Sequence, residues 1–483
     1  MESRSMRRTK IVCTIGPSSS SVEMLDRLVA AGMDVARLNF SHGTHAEHAE
    51  VVRRLREGEE RWGRPVAILQ DLQGPKIRLG TFGPNGGRRV DLEPDRPFAL
   101  SRTPCVGTAE RVFVSPPESL SEVKVGDQVL MDDGMIQLRV EETTEVEVRC
   151  RVVAGGRISD HKGISLPRVA LPVSCLTAKD RVDLAFGIEQ GVDFVAVSFV
   201  RSAADIAEVR KFLYEKGAAM PLVAKLERHE VFENLPGILT TVDAVMVARG
   251  DLGVDVPLED VPHMQKEIIR QARAAKIPVI VATQMLESMV THLRPTRAEV
   301  SDVATAIFDS ADAVMLSAET ATGRYPAEAV ETMARIAVRA EQTVLADEPQ
   351  RRRQRDGAAV GFPEAVSDAA AMAARALKAR AIVAFTQSGF SARLISHERP
   401  DVPIIAFTPT TDVRRRLALS WGVSSRLIRK VETTDEMVEE IESALLRDGF
   451  VAINDVIVII SGAPMWVTGT TNLMKLHRVG ERR

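Results

Sequence analysis

Short apolar runs recur along the chain up to about Ala340, each followed by a segment whose apolar residues return at helical spacing. The runs Lys10–Ile15, Asp34–Phe40, Pro65–Leu72, Phe194–Phe199, Leu222–Glu227, Ala244–Arg249, Pro278–Gln284 and Ala313–Glu319 read as strands. Val22–Ala31, Ala46–Trp62, Lys179–Gln190, Ala203–Lys216, Met264–Lys276 and Arg297–Asp309 read as amphipathic helices between them. Eight such βα units predict an α/β fold built on a (β/α)8 TIM barrel. An open doubly wound sheet is the alternative, and eight strands fit closure better.

One stretch breaks this rhythm. From about Gly74 to Leu171 the pattern turns to Gly, Pro and alternating β-formers, as in Val125-Gly126-Asp127-Gln128-Val129-Leu130, with no helical period. This predicts a small β-barrel inserted after the third barrel strand. In a barrel that exit lies on the C-terminal face, where active sites form, so the insert is placed to act as a lid. Beyond the barrel, Asp347–Gly361 is polar and holds Arg351-Arg352-Arg353-Gln354-Arg355, which reads as a solvated linker or helix end. A helix at Ala365–Lys378 and strands at Ala381–Thr386, Pro403–Phe407 and Val456–Ser461 then predict a C-terminal α/β domain. The expected division is residues 1–73 and 172–345 for the barrel, 74–171 for the lid and 346–483 for the last domain.

Composition narrows the class. The 483 residues are too many for one core, and 45% hydrophobic with 27% charged residues is the balance of a globular protein. A net charge of -3 argues against wholesale nucleic-acid binding. No secretory h-region follows the basic start, and no run of about eighteen apolar residues occurs, so neither export nor a membrane span is expected. Cys13, Cys105, Cys150 and Cys175 lack CxxC spacing and read as reduced thiols of a cytoplasmic protein.

Chemistry gathers at the ends of the strands. Val223-Ala224-Lys225-Leu226-Glu227 puts a lysine and a carboxylate on one face of a period-two strand. The next strand ends in Arg249-Gly250-Asp251-Leu252-Gly253, bringing a second carboxylate. If the strands are parallel neighbours, Glu227 and Asp251 converge on one oxygen-ligand site suited to Mg²⁺, with Lys225 placed for a phosphoryl group. A buried ion pair in an ordinary α/β core explains the same residues, and the pattern alone leaves both readings open. Other strand ends add Arg37-Leu38-Asn39-Phe40-Ser41-His42-Gly43, Asp71-Leu72-Gln73-Gly74-Pro75-Lys76-Ile77-Arg78, Ser198, Ala282-Thr283-Gln284 and Ser317-Ala318-Glu319-Thr320. Three cations (Arg37, Arg78, Lys225) with two carboxylates describe a pocket for a phosphorylated anion. A helix beginning after Gly250-Asp251 would add backbone donors for a carboxylate.

Arg37–Gly43, Gly74–Arg78, Lys225–Glu227, Val247–Gly253, Ala282–Met289 and Leu316–Thr320 together resemble the signature stretches of the pyruvate kinase family, in order and spacing. The resemblance spans nearly the whole chain and implies phosphoryl transfer from phosphoenolpyruvate to ADP. It implies that Lys225 stabilises charge on the phosphoryl group in flight and on the enolate. Glu227 and Asp251 would hold Mg²⁺ or Mn²⁺, and Arg37 would clamp the phosphate. The backbone at Arg249-Gly250-Asp251, Ser317 and the Thr283 hydroxyl would bind substrate, with Thr283 as a candidate proton relay. Asn39, His42, Arg78 and Lys162 match nucleotide-contacting positions, and Asp133 is a candidate lid carboxylate at what is also an Asp-Gly turn. For His42 a structural role explains the residue equally well. A homotetramer follows from the resemblance alone.

Two positions depart from the family pattern. Of its potassium site, Asn39, Ser41 and Asp71 are kept, but Leu72 replaces a threonine and Lys76 replaces a glutamate. Leucine offers no side-chain ligand, and an ammonium supplies fixed positive charge, so the enzyme is expected not to require K⁺. In the last domain, Thr386-Gln387-Ser388-Gly389-Phe390-Ser391 is a hydroxyl-rich strand-to-helix turn able to cradle a phosphate, with Thr468-Gly469-Thr470-Thr471 as its neighbour. The resemblance makes it the site of a sugar-phosphate or nucleotide activator; a capped helix start is the bland alternative. Two rival functions remain at this point. One is a metal-dependent barrel lyase acting on pyruvate or phosphoenolpyruvate, which has no need of a lid. The other is a catalytically silent sensor, which has no need of Lys225, Glu227, Asp251 and Thr283 together.

Overall fold

The computed structural model describes residues 7–83, 86–132, 134–169, 173–352, 361–465, 467 and 469–481, leaving aside the side chains of 345–352. Asp133, Thr468, linker residues 353–360 and the expected boundary at 171–172 lie outside the described residues. Eight strands close a barrel: β1 (Lys10–Thr14), β2 (Val35–Asn39), β3 (Ala67–Asp71), β4 (Phe194–Val197), β5 (Leu222–Leu226), β6 (Ala244–Ala248), β7 (Val279–Ala282) and β8 (Ala313–Leu316). They follow one another around the ring in sequence order, and β1–β2, β5–β6, β7–β8 and β8–β1 pair in parallel. Nearly every strand residue is buried, which is why the strands read as continuous apolar runs rather than alternating ones.

The helices between them start where short polar side chains can satisfy the first backbone N–H groups. Thr44 with Glu47 and Thr296 with Glu299 form capping boxes ahead of His45–Trp62 and Arg297–Phe308, and Ser21 caps Val22–Ala31. The sequence did not announce Val231–Leu239, a helix containing Pro236, because an internal proline reads as a breaker.

A repeated device sits at the N-terminal ends of alternate strands. Asp34, Asp193, Asp243 and Asp312 immediately precede β2, β4, β6 and β8. Each donates its own N–H to a carbonyl of the preceding barrel strand and accepts, on its carboxylate, the N–H of that same residue. The four partners are Ile11, Ile68, Leu222 and Val279. Each carboxylate also meets an arginine: Arg7 and Arg64 for Asp34, Arg56 for Asp193, Arg210 for Asp243 and Arg399 for Asp312.

The chain forms two compact units, Met1–Gln70 with Gly187–Val195 and Ile269–Arg483, and Asp71–Phe186 with Ala196–Ile268. The second unit contains the β-rich insert. Its seven-stranded sheet runs from Ile164–Ser165 at one edge to Arg78–Leu79 at the other. An antiparallel bridge between Arg78 and Gly163 joins those edges, so the sheet rolls up as a small barrel around Phe82, Phe98, Leu100, Val129 and Leu138. Closing the edges removes unpaired strand backbone. Among the described residues of the insert the one helical segment is the 3-10 turn Pro117–Leu120.

The first unit contains the C-terminal sheet, in the order Val423–Leu427, Ile404–Thr408, Ala381–Phe385, Val456–Ser461, Leu473–Arg478. The first four are parallel and the last is antiparallel. Within this unit Arg399 reaches Asp312 at 2.6 Å, Arg415 reaches Glu59 at 2.9 Å, and Lys10 Nζ donates to the Val423 carbonyl at 2.8 Å. Val423–Leu427 and Leu473–Arg478 escaped the sequence reading because they are mixed-polarity strands at the two edges.

Candidate active site

Lys225 stands one residue before the end of β5, with its side chain largely buried. Its ammonium lies 2.7 Å from Glu227 Oε1 and 3.3 Å from Asp71 Oδ1, and donates to Ser198 Oγ at 2.8 Å. Ser198 in turn donates to the Leu72 carbonyl at 2.6 Å. Glu227 falls just beyond the strand, and its Oε2 accepts the Phe199 N–H at 2.9 Å. Phe199 can offer that N–H because its φ of +56° turns the chain after β4. The exit of β3 approaches so closely that a Cβ on Gly74, at φ +70°, would stand 2.8 Å from Ser198 Cβ; only glycine fits.

Glu227 and Asp71 are each 1% exposed, and both lie against the Lys225 ammonium. Burial pushes the Glu227 carboxyl above its ordinary pKa; Lys225 opposes that, and the nearby Asp251 charge adds to it. Beyond the ammonium at 2.7 Å, Glu227 Oε1 accepts no hydrogen bond among the described residues. A buried carboxylate oxygen with spare lone pairs beside a second carboxylate suits a hard divalent cation, which would supply positive charge and accept oxygen ligands. Glu227 and Asp251 therefore fit a Mg²⁺ or Mn²⁺ ion.

Asp251 is exposed and faces a cavity of about 310 Å³ whose lining also includes Lys76, Arg78, Lys162, Phe199 and Arg228. Arg78 donates to the His161 carbonyl at 3.0 Å and Lys162 pairs with Asp132. Such a cationic wall suits a polyphosphate. One expectation is corrected here. Gly250 and Asp251 do not precede a helix; they lie inside its first turn, because the helix Arg249–Asp255 starts directly after β6.

Other expected residues belong to the first unit. Arg37 on β2 is buried and donates to Thr14 Oγ1 at 2.9 Å. Asn39 ends that strand and accepts the Ser41 N–H at 3.1 Å, while the exposed His42 accepts at its carbonyl from His48. Thr283 follows β7 with φ +70°, a conformation costly for a β-branched residue, and its hydroxyl donates to the Ala282 carbonyl at 2.6 Å. The buried Ser317 Oγ has no hydrogen-bond partner among the described residues, and Glu319 holds the Ser317 and Leu286 N–H groups. Of the substituted potassium positions, both in the second unit, Leu72 is buried and Lys76 is exposed.

In the C-terminal sheet, Thr386 Oγ1 accepts the Gly389 N–H at 2.9 Å, and Gly389 takes φ +83° ahead of the helix Phe390–His397. Gln387 and Ser388 are exposed, while Ser391 meets Thr471 at 2.6 Å. The hollow lined by Thr386, Ser388, Ser391 and Thr470 holds about 30 Å³.

Sequence reasoning gave Ser198 a place but no role, and missed Asp132 and Arg228. A lysine that must share its charge needs a neutral acceptor too, and Ser198 at the next strand end was the available signal.

Residues 6–330 match the model of the pyruvate kinase barrel domain, and residues 364–477 that of the pyruvate kinase alpha/beta domain. The pyruvate kinase of Mycobacterium intracellulare is 45% identical over 475 residues, covering 98% of this chain and 99% of that enzyme. That of Corynebacterium glutamicum is 46% identical over 476 residues, 98% of each. Among solved structures, a pyruvate kinase from Cryptosporidium parvum superposes with a TM-score of 0.91 at 34% identity, covering 98% of this chain and 96% of that one.

Proposed function

The chain belongs to the pyruvate kinase family, and on that premise we propose how its own residues divide the work. It is a phosphotransferase: the bond between phosphorus and the enol oxygen of phosphoenolpyruvate breaks, a terminal oxygen of ADP bonds to phosphorus, and the enolate carbon takes up a proton to give pyruvate and ATP. The observation that carries the assignment of roles is the buried Glu227 carboxylate, with the Lys225 ammonium against one oxygen and the Phe199 N–H on the other.

Phosphoryl transfer asks a protein for positioning and for positive charge where negative charge develops. Lys225, held by Glu227, Asp71 and Ser198, supplies that charge to the phosphoryl group and then to the enolate oxygen. Glu227 and Asp251 hold the Mg²⁺ or Mn²⁺, which when bound neutralises the substrate oxygens. Arg37 binds the phosphate; Gly250, Thr283 and Ser317 bind the remaining substrate atoms, with Thr283 relaying a proton through water. Asn39, His42, Arg78 and Lys162 contact the nucleotide, under a lid of residues 74–171. Leu72 and Lys76 replace the potassium ion, so K⁺ is not required. Further proposals are a sugar-phosphate or nucleotide activator at Thr386, Gln387, Ser388, Gly389 and Ser391, a homotetramer and a cytoplasmic location. Among the described residues no helix is long and apolar enough to cross a membrane.

One experiment tests this reading. The purified chain is mixed with phosphoenolpyruvate, ADP and Mg²⁺, and ATP and pyruvate are measured together, once with K⁺ and once with tetramethylammonium in its place. Equal yields of both products in both salts are expected. Pyruvate without ATP would point to the lyase and neither product to the sensor, and collapse without K⁺ would remove the role given to Lys76.

A further inference from the structure

Arg228 follows the metal-binding Glu227 directly, and its guanidinium is almost wholly buried. A buried arginine must be fully partnered. Its partners come from separate segments: Asp255 Oδ1 at 2.9 Å, the Val169 carbonyl at 2.8 Å and Glu230 Oε2 at 3.3 Å. Asp255 closes the helix Arg249–Asp255, four residues after Asp251 and so one turn below it on the same side. Asp255 is itself buried and also accepts the His229 backbone N–H at 2.6 Å. Val169 belongs to the hydrophobic core of the insert, just past its last strand, Ile164–Ser165.

His229, Glu230 and Asp255 could by their spacing hold a metal. Arg228 contacts both carboxylates of that group, so the cation there is the guanidinium. What the geometry fixes instead is the helix. It cannot rotate or slide, and so move Asp251, without breaking a buried ion pair.

We propose that Arg228 is a positioning residue that locks the helix bearing Asp251 to the loop bearing Glu227 and ties both to the segment that leaves the last strand of the insert, so that divalent-metal affinity and the state of the insert are coupled. This rests on Glu227 and Asp251 being the metal ligands. The guanidinium touches no substrate in this role; it sets the separation of the two carboxylates, as outer partners of metal ligands do.

The test uses full-length Arg228→Met, Arg228→Lys and the double variant Arg228→Met/Asp255→Leu. The double variant removes both charges and keeps the chain foldable if the single one fails. Mn²⁺ binding without substrate is followed by the loss of free-Mn²⁺ electron paramagnetic resonance, and hydrogen exchange is followed over Ile164–Val169. Arg228→Met and the double variant are expected to weaken Mn²⁺ binding by about 10–100-fold and to speed exchange at Val169. Arg228→Lys, which retains the charge, should recover part of the affinity. The metal concentration for half-maximal rate should rise more than kcat falls. Folded variants with wild-type Mn²⁺ affinity, or weakened affinity with unchanged exchange at Val169, would overturn the coupling. Because Mn²⁺ binding is read without turnover, a wild-type protein that binds Mn²⁺ but makes no ATP overturns the reaction assignment instead.

Discussion

Buried carboxylates stand at both ends of the barrel strands, and their surroundings differ in one respect: the number of cations each can count on. At an N-terminal end, burial pushes Asp34 up, but Arg7, Lys10 and Arg64 outweigh it and hold its carboxyl below the ordinary range. Its oxygens also accept the Ile11 N–H in a fixed clamp. Asp193, equally buried with Arg56 as its close cation, is pushed above the ordinary range by burial. At a C-terminal end, Glu227 shares Lys225 with Asp71 and feels Asp251, and its pKa is raised. A carboxylate matched in charge contributes stability. One left short is a cost that a bound cation would relieve; Asp193 carries such a cost at an N-terminal end and Glu227 at a C-terminal end, where Asp251 stands nearby and lines a cavity.

Removing the shared cation should have the largest effect. Lys225→Met is expected to lower kcat by about 10³-fold or more while the protein still binds Mn²⁺. It should also lower the melting temperature without metal, since Glu227 and Asp71 lose their lysine. Retained turnover would remove Lys225 from the chemistry.

The comparison sharpens when one substitution type is made at both ends. Asp34→Asn breaks a buried, doubly paired carboxylate and should cost about 3–5 kcal/mol, read by urea denaturation, with kcat nearly unchanged. Because the Asp34 pKa is depressed by folding, its contribution is present above the unfolded value of about 3.9 and is lost as pH falls through the lower folded value. The gap between wild type and variant should therefore close in acid.

Glu227→Gln is expected to go the other way, by a smaller amount. Its pKa is raised by folding, so the ionised group costs stability once pH exceeds the unfolded value of about 4.3, and the cost grows up to the folded value. In EDTA at neutral pH the variant should melt about 2–4 °C higher, the size of about 1 kcal/mol in a domain like this one. The gain should vanish below about pH 4 and reverse when Mg²⁺ is added, with activity lost. A lower melting point for Glu227→Gln in EDTA would break the contrast between the two ends.

Much of this molecule was legible in advance for local reasons. The eight barrel strands appear as apolar runs whose ends fall within three residues of the observed ones, because a strand buried on both faces carries its signal in consecutive positions. Helices with Ser or Thr caps were equally readable. Strands at the edges of the C-terminal sheet were not, since Leu473–Arg478 is only half buried and alternates weakly. The Lys225 and Glu227 pair was visible from its period of two. Neither Asp71, 154 positions earlier in the chain, nor Ser198 could be assigned to it by spacing.

By itself, then, the sequence determined the element order, the family signatures and the residue types at each strand end. These are written in neighbouring positions, where periodicity and capping chemistry act. The tertiary structure alone decided how charge is placed: Arg7 and Arg64 at Asp34, Lys225 at both Glu227 and Asp71, and an arginine from the loop after β5 at Asp255. Any of the chain's many lysines and arginines could in principle have served each carboxylate. Which one does depends on long-range folding, and burial then sets how much each pairing matters.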